Sequence, residues 1–490
     1  MLKNVHDALK EASKSDDFIQ SQITINKTSL HLSYYNSVIN HEQLHHDLLE
    51  FIQRSTTDFH NLLDLQCLIP IEGVKSSSNL GEISLGLTKG SVYIQLDSNL
   101  NEGLLVNIAD TKKGYRKNNE SENEYSVIGP KVAFVEDLDT NLNLLRKEII
   151  TEKLLFEEQT KGSLSKTRVV IAYIDGIANP EHVNTVRQRL MDLDFDVIFD
   201  TATLDQIISD NSNTPFPLFM STERVDRMKH CLLSGQVAII SSGSPYVISG
   251  PTRVFDFFFS PEDYYLPWVL GSFFRFIRFA GVAFSILATP IYVSIMTFHY
   301  SVVPKNLLGP IIESRTNVPF PPFLEVLLME MSVQLLGEAG ARLPTKVGQT
   351  LGIVGGVVIG EAAVQAGLTS NILIIIVSLS ALGAFATPSF KMSNTIRFLK
   401  FPMIALAGAY GGLGIMIGAV ILLTHLLRLK SLGTPYIVPL FPFRYKDFTD
   451  SLIRFSFSHT WSRPSFLRPL FKRKYQVRKH KDIDDDYNIE

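Results

Sequence analysis

Cysteine, tryptophan and charged side chains are all scarce in this chain of 490 residues. The two cysteines, Cys67 and Cys231, are too few for a disulfide scaffold or a zinc module with four thiolate ligands. Charged residues make up 19% of the chain, against roughly 25% in soluble globular proteins. The net charge of -3 excludes a nucleic-acid binder that relies on overall basic charge, and the hydrophobic content of 45% excludes intrinsic disorder.

Several motifs of common enzymes are also missing. The sequence contains no G-x-G-x-x-G, no G-x-x-x-x-G-K-[ST] and no G-x-S-x-G, so nucleotide binding and serine hydrolysis have no motif support. The N-terminal stretch MLKNVHDALKEASKSDD is polar and lacks an apolar core. We therefore expect no cleavable signal peptide and a front half that stays cytosolic.

Apolar runs long enough to cross a bilayer occur only in the second half of the sequence. About 20 apolar residues span the hydrocarbon core, and the candidate runs are Phe279–Phe298, Val347–Gly367, Asn371–Phe390 and Pro402–Leu427. Residues 1–262 carry 36 acidic and 24 basic residues, whereas residues 263–490 carry 13 acidic and 22 basic ones. The chain is predicted to join an acidic soluble front to a membrane-embedded back.

The predicted fold class is an α/β cytosolic N-terminal region of two subdomains, followed by an α-helical multi-pass membrane domain with about four spans and an amphipathic helix. Strand-like runs alternate with helical patterns in the front half. The strand-like runs are Val92–Leu96, Leu104–Ala109, Val169–Ile174, Asp196–Phe199 and Val237–Ile240, and the helical patterns lie in Leu138–Phe156 and Glu181–Leu193. The predicted boundaries are a His-rich extension 1–60, subdomains 61–160 and 165–262, a transmembrane domain 270–428 and a basic cytosolic tail 429–490.

Basic residues indicate the orientation. Arg275 and Arg278 precede the first run and many basic residues follow the last, so both flanks are expected to be cytosolic and the number of spans even. With four spans, Lys391, Arg397 and Lys400 fall on the outside, against the positive-inside rule. A fifth span at residues 323–343 would place that loop in the cytosol, but it would also place the basic tail outside. Four spans are therefore preferred.

A polar row crosses the apolar stretch Pro322–Pro344. Its members recur every four residues and therefore share one helix face: Glu330, Gln334, Glu338, Arg342 and Lys346. Such a helix either lies flat in the membrane interface, lines a water-filled conduit or gate, or packs between subunits. Glu361, which lies in the next run, is placed either at the outer interface or in a functional position.

Glycines recur at helical spacing in two of the apolar runs. Small residues let helix backbones approach closely, and van der Waals packing drives helix association in lipid. The predicted contact residues are Gly348, Gly352, Gly356 and Gly360 in the second run, and Gly414 and Gly418 in the last. The spacing does not tell whether the partner helix belongs to the same chain.

Two further patterns have more than one interpretation. His41-Glu42-Gln43-Leu44-His45 matches H-E-x-x-H, but it lies in a His-rich polar stretch with no third ligand, so a solvated helix is preferred to a metalloprotease site. The basic tail also contains many aromatic residues, which is compatible with RNA stacking. Because the tail follows a predicted span, we favour contact with anionic lipid headgroups and expect no nucleic acid as partner.

The sequence resembles the A subunit of the GerA-type spore germinant receptors over about residues 80–440. The shared motifs are Gly129-Pro130 with Phe134–Glu136 and Thr140-Asn141, Ile174–Ala178, Ser242–Pro245, Ser260–Tyr265, Val318–Pro321, Glu338–Gly340 with Arg342–Pro344, and Gly355-Gly356 with Ile359–Ala363. Ile128 and Gly337 depart from it, since arginine is usual at both positions. Charge contacts made by those arginines are therefore not expected in this chain.

The resemblance implies a non-enzymatic subunit in the inner membrane of a dormant bacterial spore. It implies a transporter-like B subunit that holds the nutrient, a lipid-anchored C subunit, and an early release of monovalent cations. It also implies that A subunits oligomerise into a ligand-gated ion channel.

Together these observations predict a multi-pass receptor subunit that couples ligand binding in a partner to membrane permeability. The pore or gate candidates are Glu330, Gln334, Glu338, Arg342 and Glu361. No catalytic residue, metal or cofactor is predicted. The alternative is a secondary transporter of the nutrient, which four spans without a visible repeat disfavour.

Overall fold

The computed structural model describes residues 5–25, 28–54, 61–71, 73–97, 99–110, 124, 128–342, 356, 360–451, 453–457 and 459–475. These residues form two α/β subdomains, a bundle of helices, and a C-terminal tail that returns to the second subdomain.

The first subdomain is built on an antiparallel sheet in the order β1-β2-β4-β5-β3. Its strands are β1 (Phe18–Ile25), β2 (Thr28–Tyr35), β3 (Lys75–Ser77), β4 (Ser91–Leu96) and β5 (Asn99–Asn107). Its helices are α1 (Val5–Ala12), a π-helical stretch (Gln43–Leu49) that continues into α2 (Glu50–Arg54), α3 (Leu62–Leu68) and α4 (Leu80–Thr88). Side chains alternate along β4, so Val92 and Ile94 pack under α2 and α3, while Tyr93 packs under α1 and α4.

The second subdomain repeats this arrangement around an antiparallel sheet in the order β6-β7-β9-β10-β8. Its strands are β6 (Leu154–Lys161), β7 (Thr167–Ile174), β8 (Met220–Thr222), β9 (Val237–Ser241) and β10 (Val247–Gly250). Its helices are α5 (Leu138–Glu148), α6 (Pro180–Met191), α7 (Thr201–Ile208), α8 (Val225–Ser234), a 3-10 turn (Val254–Phe258) and the short α9 (Glu262–Tyr265). Asn179 caps α6 by accepting a hydrogen bond from the Glu181 amide, and α8 ends at Gly235 in the left-handed conformation.

The second half of the chain is helical. Its helices are α10 (Trp268–Phe298), α11 (Lys305–Arg315), α12 (Pro322–Arg342), α13 (Asn371–Phe385), α14 (Phe390–Tyr410) and α15 (Gly412–Arg428). Helix α10 has 31 residues and is long and apolar enough to cross a membrane, whereas α13 and α15 are apolar but shorter. The number of four spans stays a prediction, and most of Val347–Gly367 lies outside the described residues.

One hydrophobic core joins the second subdomain to the helices and the tail. Val169 and Ile239 of the sheet belong to the same buried cluster as Val282 of α10, Met392 of α14 and Tyr436 of the tail. The tail contains the two-residue strands β11 (Lys430–Ser431) and β12 (Thr434–Pro435) and the 3-10 turns Tyr445–Thr449 and Ser465–Leu467. Core packing therefore fixes the tail and one end of the helix bundle to the second subdomain.

The predicted boundaries of the front half differ from the structure. Residues 1–60 are not a separate extension, because β1 and β2 are two of the five strands of the first sheet. Helix α5 and β6, which fall within the predicted first subdomain, pack in the second one. The predicted helix in Leu138–Phe156 ends at Glu148. Asp196–Phe199 forms no strand, and the Asp196 carbonyl instead accepts hydrogen bonds from the amides of Leu164 and Ser165 in the β6–β7 connection.

Two predictions about the helical half also need correction. The run Pro402–Leu427 is not one helix: Gly411, with a φ of 61°, separates α14 from α15, and a side chain there would collide with Phe298. Lys391 does not lie at the end of the bundle opposite the second subdomain, because its ammonium is 2.5 Å from Asp205 of that subdomain. The connection between α13 and α14 is thus at the same end of the bundle as that subdomain.

Candidate functional site

A buried ion pair links α12 to α14. The Glu330 carboxylate and the Lys400 ammonium are 3.5 Å apart, and their side chains are only 5% and 3% exposed. The second oxygen of Glu330, Oε1, has no hydrogen-bond partner among the described residues. Removing two charges from water costs several kcal/mol per ion unless geometry and further hydrogen bonds compensate. Packing therefore holds this pair in place although its polar compensation is incomplete.

A small cavity adjoins the pair. It has a volume of about 20 Å³ and is lined by Gln334, Gly337, Phe385 and Arg397 in addition to the two charged residues. A polar cavity of this size can hold one water molecule. The resemblance leads us to expect arginine at the position of Gly337. A Cβ added to Gly337 would have no atom of the described residues within 4 Å.

Two members of the predicted polar row, Glu338 and Arg342, turn away from this pair, and Lys346 lies outside the described residues. Positions four residues apart rotate by about 40° around a helix of 3.6 residues per turn. Gln334 is half-buried beside Glu330, whereas Glu338 and Arg342 form an ion pair that is 57% and 77% exposed. Glu361 is also exposed and accepts a hydrogen bond from Gln365. The structure thus brings Glu330 and Gln334 together and separates them from the other candidates.

Helix α12 is also not a helix that lies apart from the bundle. It packs against α10, α13 and α14, and its first half buries Glu325, Val326, Met329 and Glu330. The first half of α12 is therefore part of the helix bundle, while Glu338 and Arg342 in its second half are exposed. The three interpretations of the polar row stay predictions.

Glu325 is a second buried charge of α12, and the sequence analysis missed it. Its side chain is fully buried, accepts a hydrogen bond of 2.7 Å from the Ser370 amide at the start of α13, and lies 3.4 Å from Arg315 of α11. Glu325 is outside the four-residue spacing that singled out the polar row. The one signal in the sequence is a carboxylate in the first turn of an apolar helix.

The predicted glycine contacts fall into two groups. A Cβ at Gly414 would lie 1.9 Å from the Leu406 carbonyl, and one at Gly418 would lie 2.5 Å from the sulfur of Met403, so both glycines pack closely on α14 of the same chain. In contrast, no atom of the described residues lies within 4 Å of a Cβ at Gly356 or Gly360.

Gly348 and Gly352 lie outside the described residues. The glycine spacing did not single out Gly281 and Gly383, although their backbones meet where α10 crosses α13: a Cβ at Gly383 would collide with the Gly281 carbonyl.

A dense ionic cluster joins the second subdomain, the start of α10 and the tail. The Arg275 guanidinium is fully buried, with Nε 3.0 Å from Asp263 and Nη1 2.9 Å from Asp450 of the tail. Arg278 donates a second hydrogen bond to Asp263 at 3.0 Å, and the Tyr264 hydroxyl donates to Asp450 at 2.7 Å. We call this cluster the joint. It fixes the entry of α10 to both the subdomain and the tail.

Two arginines extend the joint. Arg454 donates to the backbone carbonyls of Asp263 and Leu266, and Arg253 donates to the Ser451 hydroxyl at 2.8 Å and to the Asp450 carbonyl at 2.9 Å. Burial alone would raise the pKa of Asp450, but the Arg275 guanidinium and the Tyr264 hydroxyl lower it from the ordinary 3.8 to about 2. The Asp450 carboxylate is therefore ionised at every physiological pH.

The tail has a different position from the one predicted. It does not lie only along lipid headgroups, because Tyr436, Phe466 and Leu467 are buried and the Tyr436 hydroxyl donates to the Pro217 carbonyl of the second subdomain. Seven further aromatic residues of the tail are exposed, so lipid contact stays a prediction for them. These are Phe441, Phe443, Tyr445, Phe455, Phe457, Trp461 and Phe471.

The H-E-x-x-H motif lies at the surface of the first subdomain. His41, Glu42 and His45 are exposed where the π-helical stretch begins. No group of three or more His, Cys, Asp or Glu side chains within the described parts of the chain could hold a metal ion. The geometry therefore gives the metalloprotease interpretation no support.

Comparison with known proteins gives consistent matches. A family model described as Bacillus/Clostridium GerA spore germination protein matches residues 4–466. Spore germination protein GerQA of Bacillus cereus is 43% identical, with 99% of this chain and 98% of that protein covered. Spore germination protein KA of Bacillus subtilis (strain 168) is 34% identical, with 98% and 88% covered.

Among solved structures, the N-terminal domain of the A subunit of the Bacillus megaterium spore germinant receptor GerK3 is 27% identical. The alignment covers 51% of this chain and 94% of the solved domain, and its TM-score is 0.38. The family match confirms the resemblance drawn from motifs such as Ser260–Tyr265, and it extends to the first 60 residues, which that resemblance did not cover. This chain therefore belongs to the GerA family of spore germination proteins.

Proposed function

We propose that this chain is the membrane subunit of a nutrient germinant receptor, which oligomerises and gates ion release when a partner subunit binds the nutrient. The observation that carries the proposal is the Glu330–Lys400 pair, which is buried between helices with one carboxylate oxygen unpaired. Charged residues at membrane depth are costly and mark ion pathways or proton relays in membrane proteins. Glu330 is accordingly the gate residue, and Gln334 and Lys400 are its neighbours.

The positions of the chain segments support a membrane location with an even number of crossings. The second subdomain, the tail and the α13–α14 connection all meet at one end of the helix bundle. Lys391 then lies with the basic tail on the cytosolic side, as the positive-inside rule requires. We place this end in the cytosol and the helices in the inner membrane of the spore.

The glycine faces support assembly with other chains. Gly414 and Gly418 are already in contact with α14, whereas no atom of another described segment lies within 4 Å of a Cβ at Gly356 or Gly360. Small residues repeated along one face of a membrane helix are suited to contact with a second helix. We assign this face to contacts between A subunits, and we expect a transporter-like B subunit and a lipid-anchored C subunit as further partners.

Gating is then a shift between two packings of the same helices. In the closed packing, Glu330 is paired with Lys400 and little water reaches it, because the adjoining cavity is only about 20 Å³. In the open packing, α12 moves relative to α14, so that water or a cation reaches the unpaired oxygen. A partner subunit with bound nutrient shifts this equilibrium only by the difference between its binding free energies for the two packings. A difference of a few kcal/mol is enough.

Cation release from spores tests the proposal. Spores that carry only Glu330→Gln as their copy of this chain should show a rate of potassium release at least tenfold different from wild type after addition of a rich nutrient mixture. Glutamine keeps the shape but removes the charge that pairs with Lys400. Spores with Glu313→Gln, at an exposed position of α11, are the matched control, and immunoblots verify equal protein. Wild-type release in both variants at equal protein would contradict the role of Glu330.

A further inference from the structure

A cavity of about 170 Å³ lies between the second subdomain, the Ser260–Tyr265 segment and the tail. Helix α8 contributes His230 and Ser234 to its wall, and the tail contributes Phe466 and Lys474. The cavity is next to the joint, since Asp450 and Tyr264 also line it. Any group bound here would touch the subdomain and the tail at the same time.

Each carboxylate in the cavity wall already has a cationic partner. Asp226 pairs with Arg224 at 2.8 Å, Asp256 pairs with Arg253 at 2.8 Å, and Asp450 pairs with Arg275 at 2.9 Å.

Arg227, which also lines the cavity, donates to Glu124 at 3.3 Å and to the Phe259 carbonyl at 3.1 Å. The arginines and aspartates of the wall are therefore satisfied within the chain.

Among the described residues, neither the Lys474 ammonium nor the Ser234 hydroxyl of the wall has an ion-pair or hydrogen-bond partner. Lys474 is half-buried, and no carboxylate in the described part of the chain lies within 4 Å of its ammonium. The Ser234 hydroxyl is buried and has no hydrogen-bond partner among the described residues. Burial lowers the pKa of Lys474, and Asp450 only partly offsets this effect. A cation and a donor hydroxyl thus border one cavity with no anion to engage them.

The neighbouring histidine does not supply a second charge. His230 is stacked on the Tyr264 ring with 5.1 Å between the ring centres, and burial lowers its pKa to about 4, an effect that the positive charge of Lys474 reinforces. Its imidazole is therefore neutral at physiological pH. Lys474 is the cation of this wall that is available to a ligand.

We propose that this cavity binds a small anionic group, a carboxylate or a phosphate, held by the Lys474 ammonium and the Ser234 hydroxyl. The bound group stabilises the contact between the tail and α8, next to the joint that fixes the start of α10. The inference does not depend on the proposed gate at Glu330. The anionic group has two possible sources, which are a free small anion and the aspartates that follow in the sequence at positions 482 and 484–486.

Calorimetric titration of the full chain in detergent with inorganic phosphate or acetate, at constant ionic strength, tests this proposal. We expect at least one anion to bind, and Lys474→Gln to raise its Kd at least tenfold because the ion pair is lost. Ser234→Ala should raise the Kd several-fold, since the removed hydroxyl has no other partner and the fold keeps all its hydrogen bonds. Lys472→Gln, an exposed lysine two residues away, is the matched control and should bind as wild type.

A chain that ends at residue 480 distinguishes the two sources. If the shortened chain binds phosphate or acetate more tightly than the full chain, the acidic residues of the same chain occupy the cavity. An unchanged Kd assigns the site to a free anion. The proposal is overturned if neither the full nor the shortened chain binds either anion, or if Lys472→Gln weakens binding as much as Lys474→Gln.

Discussion

The joint and the Glu330–Lys400 pair are both buried groups of charges, but they differ in how completely those charges are compensated. In the joint, Asp263 and Asp450 each accept hydrogen bonds from at least two side chains. In the helix bundle, Glu330 faces one ammonium at 3.5 Å, and one of its oxygens has no partner among the described residues. Nη2 of Arg275 also has no partner among the described residues, but both carboxylates of the joint are held by more than one donor. Such a cluster suits a fixed connection, whereas the Glu330–Lys400 pair suits a group that changes its surroundings.

Replacement of Arg275 should give the largest effect. Arg275→Ala removes a shared partner of Asp263 and Asp450 and leaves buried carboxylates short of a cation, so we expect the free energy of unfolding to fall by about 3–5 kcal/mol. Arg342→Ala, in an exposed pair, should cost less than about 1 kcal/mol. Urea titration of the full chain in detergent measures both. Equal losses in the two variants would remove the distinction between a buried joint and a surface pair.

Gly414 and Gly356 should differ in how strongly a larger side chain disturbs the packing around them. Gly414→Ala places a methyl group against the Leu406 carbonyl and should destabilise the chain by about 1–3 kcal/mol. Gly356→Ala meets no neighbour within 4 Å among the described residues and should change the same free energy by less than about 1 kcal/mol. Gly356→Leu should instead reduce the oligomer observed by size-exclusion chromatography. A normal oligomer with Gly356→Leu would argue against contact between subunits at this face.

Acid should weaken the joint within a defined pH range. The pKa of Asp450 is about 2 in the folded chain against an ordinary 3.8, so its contribution to stability is complete above pH 4 and is lost as the pH falls through 2. This shift corresponds to about 2 kcal/mol. Asp450→Asn should remove that part of the pH dependence between pH 5 and 2. If both chains lose stability equally over this range, Asp450 is not the titrating group.

The Glu330–Lys400 pair should contribute less to the free energy of unfolding than the joint does. Glu330→Gln leaves the Lys400 ammonium buried without a carboxylate, and we expect a loss of about 1–2 kcal/mol. Lys400→Met in the same chain should recover most of this loss, which gives a coupling energy of about 1 kcal/mol in a double-mutant cycle. Additive losses would mean that the two charges do not interact.

The parts of the fold that depend on neighbours in sequence could be predicted. The patterns in Val92–Leu96 and Val169–Ile174 correspond to β4 and β7, and Glu181–Leu193 corresponds to α6. The spacing of Glu338 and Arg342 on one helix also predicts their ion pair. The family motifs, such as Ser260–Tyr265, identified the protein family but not the contacts that the motif residues make.

The parts that depend on distant contacts could not be predicted. Glu330 and Lys400 are 70 residues apart, and Arg275 and Asp450 are 175 residues apart. The count of apolar runs and the positive-inside rule contain no contacts between helices, so they assigned Lys400 to an external loop and used Arg275 only for the orientation of the chain. Periodicity also treated the polar row as one face, whereas the rotation of about 40° at each step places Glu330 inside and Arg342 outside.

Single-channel recording of the full chain, purified with its accompanying subunits and reconstituted in planar bilayers, tests the central claim most directly. With Glu330→Gln, we expect the nutrient-independent open fraction to change at least tenfold, because the closed packing loses its ion pair. Glu313→Gln, at an exposed position of α11, should open as wild type. Currents that are identical in wild type and Glu330→Gln, or the absence of any cation current from the wild-type assembly, would contradict a gate at Glu330.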